Sequence, residues 1–338
     1  MERQSVTAAG FVDGKLSGVD TVMRVRIVGS GAGGGFPQWN CNYRLSRAAR
    51  AGRVGFRART QSSIAASADH EAWVLFNASP DIRQQIAQTP ELQPRPDAPL
   101  RSTPIRAVVL TSADVDHVAG LLSLRERQPF AIYATAQVLG ALAANPIFNV
   151  LDPRIVPRRE LPDREFEVQD AEGNGTGVRI EAFAVPGKVA LFFEDAERED
   201  ATRPDAGYGS EEGDTIGVRL ARPAGAGSLF YIPACARIDA DLTRRLHNAP
   251  CLLFDGTVYT DDELIAAGVG QKTGVRMGHL AMSGKEGSIS ALEGVPINRR
   301  IFVHINNTNP VLDGASPEHR AVHAAGWEVA HDGMEIDL

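Results

Sequence analysis

An apolar run, Ile105 to Leu110, stops at Thr111-Ser112-Ala113-Asp114-Val115-Asp116-His117. Asp114, Asp116 and His117 stand at i, i+2 and i+3, and two carboxylates and an imidazole so spaced can converge on one divalent cation. The plainer reading is an aspartate that caps a helix beside a solvent-facing histidine. The end of a buried strand, the edge where ligands collect in layered α/β folds, leaves both readings open. Ser112 reads as a hydrogen bonder in the same pocket.

Holding such a cluster takes sheets and flanking helices. Apolar patterning predicts strands over 24–28, 72–77, 105–110, 130–134, 178–185, 215–221, 228–232, 250–255, 300–304 and 327–330. Helical patterning falls on 79–88, 135–143, 239–247, 260–267 and 316–325. Ser79-Pro80-Asp81 is a helix start with proline in the first turn, and Thr260-Asp261-Asp262-Glu263 puts acids at another. The alternation suggests a layered α/β sandwich. The chain has 338 residues, 43% of them hydrophobic, enough for one large core or two modest ones. No run is long enough to span a bilayer, and residues 1–22 hold no secretory apolar stretch. The fold is expected to be one domain over 23–338, with 1–22 a disordered extension or a start-site artefact. Net charge is −7, from 35 basic and 42 acidic residues, which argues against a broad nucleic-acid face. Three cysteines, an odd and scattered set, argue against a disulfide framework and suit a reducing cytoplasm.

Gly29-Ser30-Gly31-Ala32-Gly33-Gly34-Gly35 follows the first strand and invites a dinucleotide-binding reading. Pro37 breaks the helix that reading needs, so a tight turn is expected, with backbone N–H groups able to line a pocket. Residues 195–214 read as a polar loop, a lid or plain disorder. Cys235 and Cys251 read as small buried hydrophobes. His70, His247, His319, His323 and His331 read as structural.

Ser112-x-Asp114-x-Asp116-His117 resembles the His-x-His-x-Asp-His signature of the metallo-β-lactamase superfamily, with its first two histidines replaced. Other strings narrow the resemblance: Gly33-Gly34-Gly35-Phe36-Pro37-Gln38-Trp39-Asn40-Cys41, Arg59-Thr60-Gln61-Ser62-Ser63-Ile64, Asn77-Ala78-Ser79-Pro80-Asp81-Ile82-Arg83, Asp116-His117-Val118-Ala119-Gly120, Leu253-Phe254-Asp255-Gly256-Thr257, Gly278-His279-Leu280 and His304-Ile305-Asn306-Asn307-Thr308-Asn309-Pro310. From Met23 onward the chain resembles the PqqB family of pyrroloquinoline quinone (PQQ) biosynthesis.

That resemblance implies an α/β metallo-β-lactamase-like αββα sandwich with metal ligands on loops at one edge. It implies Fe(II)- and O2-dependent hydroxylation of the tyrosine ring in a Glu–Tyr unit; the other readings are a noncatalytic carrier of PQQ to the periplasm and a zinc hydrolase. The expected metal and catalytic set is Asp114, Asp116, His117 and His279, with Asp116, His117 and His279 as the iron triad; the same donors accept zinc. Ser112, Lys188, Asp255, His304 and Asn306 are expected at the substrate. Lys188 falls near a superfamily histidine and suits a substrate carboxylate. Asp255 resembles the superfamily's bridging aspartate, with a helix cap as its alternative. His304 reads as a ligand, an acid/base group, or a buried histidine satisfied by Asn306 or Asn307. Arg59, Arg83 and Arg125 suit carboxylates or surface ion pairs. Trp39, Tyr208 and Tyr259 read as core, or as faces for an aromatic substrate. Expected partners are a small-molecule or dipeptide substrate and other PQQ-pathway proteins. The family's Cys-x-Cys-x-x-Cys stands here as Cys41, Tyr43 and Ser46, so its structural zinc is expected to be lost or weakened, leaving 42–58 to be ordered by a helix or by packing.

Overall fold

The structure, a computed structural model, describes residues 22–188, 190, 213–222 and 227–338; the Tyr208 reading, the 1–22 extension before Val22 and most of the 195–214 loop lie outside them. The described strands form two seven-stranded sheets. The first sheet, in the order β14-β1-β2-β3-β4-β5-β6, contains β1 (Arg24–Gly29), β2 (Ser63–Ser67), β3 (Trp73–Phe76), β4 (Ile105–Val109), β5 (Ala131–Ala134), β6 (Arg158–Glu160) and β14 (Glu335–Asp337). The second, β13-β12-β11-β10-β9-β8-β7, contains β7 (Phe166–Gln169), β8 (Gly175–Ala184), β9 (Ile216–Ala221), β10 (Ser228–Ile232), β11 (Ala249–Asp255), β12 (Ile297–Val303) and β13 (Glu328–Val329). Each sheet is antiparallel on one side and parallel on the other, with β3 to β6 parallel in one and β10 to β13 parallel in the other.

Parallel strands need crossovers, and helices supply most of them. α2 (Ile82–Gln88), α3 (Val115–Val118) and α4 (Ala136–Ala144) follow β3, β4 and β5; α5 (Ala240–Leu246), α6 (Glu263–Ala266), α7 (Ser288–Ala291) and α8 (Pro317–Ala324) join the parallel strands of the second sheet. α1 (Arg44–Arg50) sits between β1 and β2. The sheets face each other across one core, which takes Ile27, Phe76 and Val109 from one side and Tyr231, Leu253 and Val303 from the other. A second apolar cluster lies under α2 and α4, and a third under α1, α5 and α8. With both faces covered, β3 and β5 are buried at every residue, which explains their unbroken apolar sequence.

Three differences from the expected elements have physical causes. β2 is Ser-Ile-Ala-Ala-Ser, poor in strand formers, and becomes a strand because β1 and β3 flank it and bury all five residues. β6, β7 and β14 are short edge strands with charged residues, too brief to show a period of two. The helix expected from Ser79 starts at Ile82, and the one expected over 260–267 is a single turn, Glu263–Ala266. The segment after Trp39 is ordered by α1: Leu45 is fully buried, and the Arg50 guanidinium donates to the carbonyls of Gln38 and Cys41. Among the described residues no helix is long and apolar enough to cross a membrane.

The glycine-rich turn ties the two sheets together beside the site. Gly31 pairs with Gln61 on one side and Ile305 on the other. Asp332 clamps its base: Oδ1 accepts from the Ser30 N–H and hydroxyl, at 2.9 and 2.7 Å, and Oδ2 from those of Thr60, at 2.6 and 2.8 Å. Removing the carboxylate strands two backbone N–H groups. Asp332→Ala is expected to lower folding stability by about 3 kcal/mol, read from the urea midpoint; a change within measurement error would show that the clamp does not hold the turn.

Candidate metal centre

The candidate ligands come from the C-terminal ends of parallel strands in both sheets. After β4 the chain turns into α3, where Asp116 and His117 occupy the first turn and the His117 N–H is held by the Asp114 carbonyl at 2.8 Å. β11 ends on Asp255 and β12 runs into His304. His279 follows Gly278, whose φ of +87° lets the loop double back. His304 itself sits at φ +56°, a left-handed conformation costly for a residue with a Cβ. Two backbone hydrogen bonds of the next residue hold it there: the Ile305 N–H donates to the Ser30 carbonyl, and the Ala32 N–H to the Ile305 carbonyl.

Asp116, His117 and His304 bring ligand atoms within 4.8 Å of one another. Asp116 Oδ2 lies 3.1 Å from His304 Nε2 and 3.9 Å from His117 Nε2. The hydrogen bonds on the far side of each ring assign its tautomer. The Ser112 hydroxyl donates to Asp114 Oδ2 at 3.2 Å, so at 2.8 Å it accepts from His117 Nδ1. The single proton of the Thr257 hydroxyl goes to Asp255 Oδ1 at 2.7 Å, so at 2.7 Å the same oxygen accepts from His304 Nδ1. Both imidazoles therefore aim an Nε2 lone pair at the Asp116 carboxylate.

Two acceptors 3.1 Å apart repel unless a proton or a metal cation lies between them. Burial opposes charge on His304, but the hydrogen bond and charge of Asp116 outweigh it and raise its pKa above the ordinary imidazole value. Burial likewise pushes the Asp116 carboxyl up, and the charges of His117 and His304 more than reverse this, holding it below the carboxylate range. His117 Nε2 is buried with no hydrogen-bond partner, a costly state for a polar atom. A divalent cation satisfies all three groups at once. Ligands about 2.1 Å from such an ion stand about 3.0–3.4 Å apart, against the observed 3.1 and 3.9 Å. The residues fit a two-histidine, one-carboxylate metal site.

A second donor group, Asp255, His279 and His304, meets the same distance test. Its centre is already filled. The Thr257 hydroxyl lies 2.7 Å from Asp255 Oδ1, 3.1 Å from His279 Nδ1 and 2.7 Å from His304 Nδ1. This group is a hydrogen-bond hub that orients two rings. Asp255, fully buried, also accepts from the Cys235 N–H and, at 2.8 Å, from His279 Nδ1. His279 thus carries an oriented imidazole whose Nε2 is left for the cavity, stacked on His304 with centroids 5.0 Å apart.

The cavity above these groups measures about 480 Å3. Asp116, His117, His279 and His304 form its floor; Gly33, Gly34 and Gln61 form one wall, and Val115, Ala234, Leu264 and Met277 give it apolar surface. Lys188 and Lys272 supply positive charge.

The profile described as Beta-lactamase superfamily domain matches residues 72–305, more than half of the chain. The protein named Coenzyme PQQ synthesis protein B of Rhodopseudomonas palustris (strain BisB5) is 51% identical over 318 residues, covering 94% of this chain and all of that protein. Its namesake in Methylobacterium nodulans is 52% identical over 317 residues, with the same coverage. The chain belongs to the PqqB family. Among solved structures, Zn2+-bound PqqB from Methylobacterium extorquens is 50% identical with a TM-score of 0.85, covering 93% of this chain and 100% of that one. A diphosphatase of the PhnP family, 17% identical with a TM-score of 0.62, shares the fold. The metallo-β-lactamase sandwich expected from the sequence is thus the fold of the PqqB family and of this chain.

Several expected roles change. Asp114 is in neither donor group; it pairs with Lys188 Nζ at 3.3 Å and receives the Ser112 hydroxyl, so it supports His117 from behind. Ser112, 2% exposed, faces the His117 ring and lies off the cavity lining. The donor group that contains Asp116 and His117 is joined by His304, read from sequence as a ligand, an acid/base group or a buried histidine, while His279 falls in the other group. Asp255 is buried behind His279 and caps no helix. Asn306 lines the cavity but donates to Thr308, and Asn307 reaches Gln38, so neither satisfies His304. Lys188 lines the cavity. Arg59 is buried, donating to the Ser30 hydroxyl and the Ala330 carbonyl, while Arg83 and Arg125 lie outside the cavity. Tyr259 packs on the apolar cluster under α1, α5 and α8, but Trp39, read as core, is 85% exposed. Thr257 and Lys272 were missed. The hydroxyl follows Asp255 by two residues, yet nothing in its sequence shows that two histidines turn to it.

Two predictions follow from these supports. Ser112→Ala removes the acceptor that sets the His117 tautomer and should weaken metal binding about ten- to a hundredfold with far-UV circular dichroism unchanged; chelator competition reads the affinity, and an unaltered value would refute the assignment. Glu263 accepts from the Tyr259 N–H at 2.6 Å and the Thr308 hydroxyl at 2.5 Å, joining the loops that carry Asp255 and His304. Burial pushes its carboxyl from 4.5 up to about 7. A folded pKa above the unfolded one means stability is highest at low pH and falls as pH rises from the unfolded value through 7, by up to about 3 kcal/mol. Glu263→Gln should flatten that slope, measured as urea midpoints at about pH 5 and pH 8; a slope equal to that of the parent protein would show that Glu263 is not its source.

Proposed function

We propose that this protein acts in the synthesis of coenzyme PQQ as an Fe(II)- and O2-dependent hydroxylase of the tyrosine ring in a Glu–Tyr-derived precursor, in the cytoplasm. The observation that carries the reading is the buried facing of Asp116 Oδ2 and His304 Nε2 beside the unpartnered His117 Nε2. Two histidines and one carboxylate on one face suit iron(II), which supplies O2 activation and keeps open positions beside a substrate. The same donors hold zinc, in line with the Zn2+-bound relative. The Thr257 hydroxyl at the centre of the other donor group favours a single metal over the paired zinc of a hydrolase.

The chain's own groups supply the rest. Lys188 and Lys272 bind the precursor's carboxylates and set its register in the cavity. Leu264, Met277 and Val115 cover the ring and keep bulk water from it. His279, held through Nδ1 by Asp255, takes a proton from the phenol on Nε2 and returns it.

The test loads the protein with Fe(II) under argon, then adds O2, ascorbate and a Glu–Tyr compound. The expected product carries one added oxygen atom, and Asp116→Ala or His304→Ala abolishes it. Hydrolysis of the compound under argon, or no oxygenated product from protein shown to hold iron, overturns the proposal.

A further inference from the structure

The surface from Trp39 to Ala58 takes no part in the metal chemistry, yet it is unlike the rest of the chain. Between Met23 and Ala68 there are eight arginines and no acid, in a protein of net charge −7. Four of them are accounted for. Arg24 and Arg26 pair with acids of β14, Arg59 is buried, and Arg50 is held by backbone carbonyls. Arg44, Arg47, Arg53 and Arg57 are exposed, and no ion pair to them is present among the described residues. Arg320, exposed on α8 and bonded only to the Ala315 carbonyl, extends the positive face where Gly55 meets Gly314. The neighbouring Asp313 directs its Oδ1 at the Ala315 N–H.

Unpaired surface arginines are ordinarily just solvated. Here they share one stretch of chain with apolar side chains that gain nothing from water: Trp39 is 85% exposed and Val54 is fully exposed. Tryptophan and arginine are the residues that carry binding energy at protein interfaces. The platform is also firm, since Leu45 is buried beneath it and Arg50 ties its two ends. It is continuous with the metal cavity. Gly33 and Gly34, in the turn that leads to Trp39, line that cavity, and Gln38 accepts from Asn307, three residues past His304.

We propose that this face docks an acidic polypeptide partner, whose carboxylates meet Arg44, Arg47, Arg53 and Arg57 and whose apolar side chain covers Trp39, so that the partner lies beside the mouth of the metal cavity. Charge complementarity selects the chemistry. A nucleic acid fits less well, because a single exposed aromatic ring among the four arginines offers little of the successive base stacking that single strands use. The inference does not depend on the reaction proposed above.

Trp73 and Trp327 are buried, so Trp39 is the tryptophan that iodide can quench. The metal-loaded protein is titrated with a labelled peptide of glutamate and leucine, and with one of equal charge in which serine replaces leucine. Glu–Leu binding should shift Trp39 emission to the blue, protect it from iodide, and weaken about tenfold or more in Arg44→Glu/Arg47→Glu/Arg53→Glu. Trp39→Ala should reduce Glu–Leu affinity to the Glu–Ser level, and Arg106→Glu, on exposed β4 surface, should change nothing. Circular dichroism and metal content confirm that each variant folds. Binding that survives the triple reversal, equal affinity for both peptides in the parent protein, or tighter binding of an RNA of equal charge overturns the proposal. So does a dimer, seen by light scattering, that the triple reversal dissolves, since the occupant would then be a second copy.

Discussion

The structure turns on one pair of atoms. Asp116 Oδ2 and His304 Nε2 face each other 3.1 Å apart, one from each sheet and 188 positions apart in sequence. With the Thr257 oxygen accepting from His304 Nδ1–H, a neutral His304 would face Asp116 lone pair to lone pair, so the contact needs a proton on Nε2 or a metal cation between the two atoms. A surface pair would relax by turning to water. This pair cannot, because His304 is 4% exposed and its backbone is held at a positive φ by the glycine-rich turn. The need for a proton or a metal cation between these two groups is therefore built into the packing of the two sheets.

Around that pair, hydroxyls do what the superfamily's missing histidines do not. Where its signature has a histidine, Ser112 accepts from His117 and passes its own proton to Asp114, whose charge Lys188 balances. Thr257 serves His304 and His279 together, and Asp255 anchors both. The hydroxyls that stand outside the Asp116, His117 and His304 donor group set the ring tautomers.

Strands and helices with a strong local pattern were legible. β4 and β11 are apolar runs bounded by polar residues, and α8 begins at Ser316-Pro317 with the serine accepting from the His319 N–H. β2 was not, because small residues do not announce a strand and its neighbours decide it. α1 was visible only as an arginine- and alanine-rich stretch; Leu45 is its one large buried apolar side chain, beside the small buried Ser46 and Ala48. Trp39 misled for the opposite reason, since an aromatic residue is expected inside and this one stands outside.

Sequence alone determined the family, the sandwich, and the kinds of donor present, since strand ends, loop strings and side-chain chemistry are local properties. Asp116 and His117 could be named because they are neighbours on one turn. Which distant histidine joins them was decided by tertiary structure. His279 and His304 both follow strands or loops at the same edge, and their order along the chain does not say which ring points at Asp116. That depends on the angle at which two sheets meet, on a left-handed backbone at His304, and on a hydroxyl that holds one nitrogen of each ring.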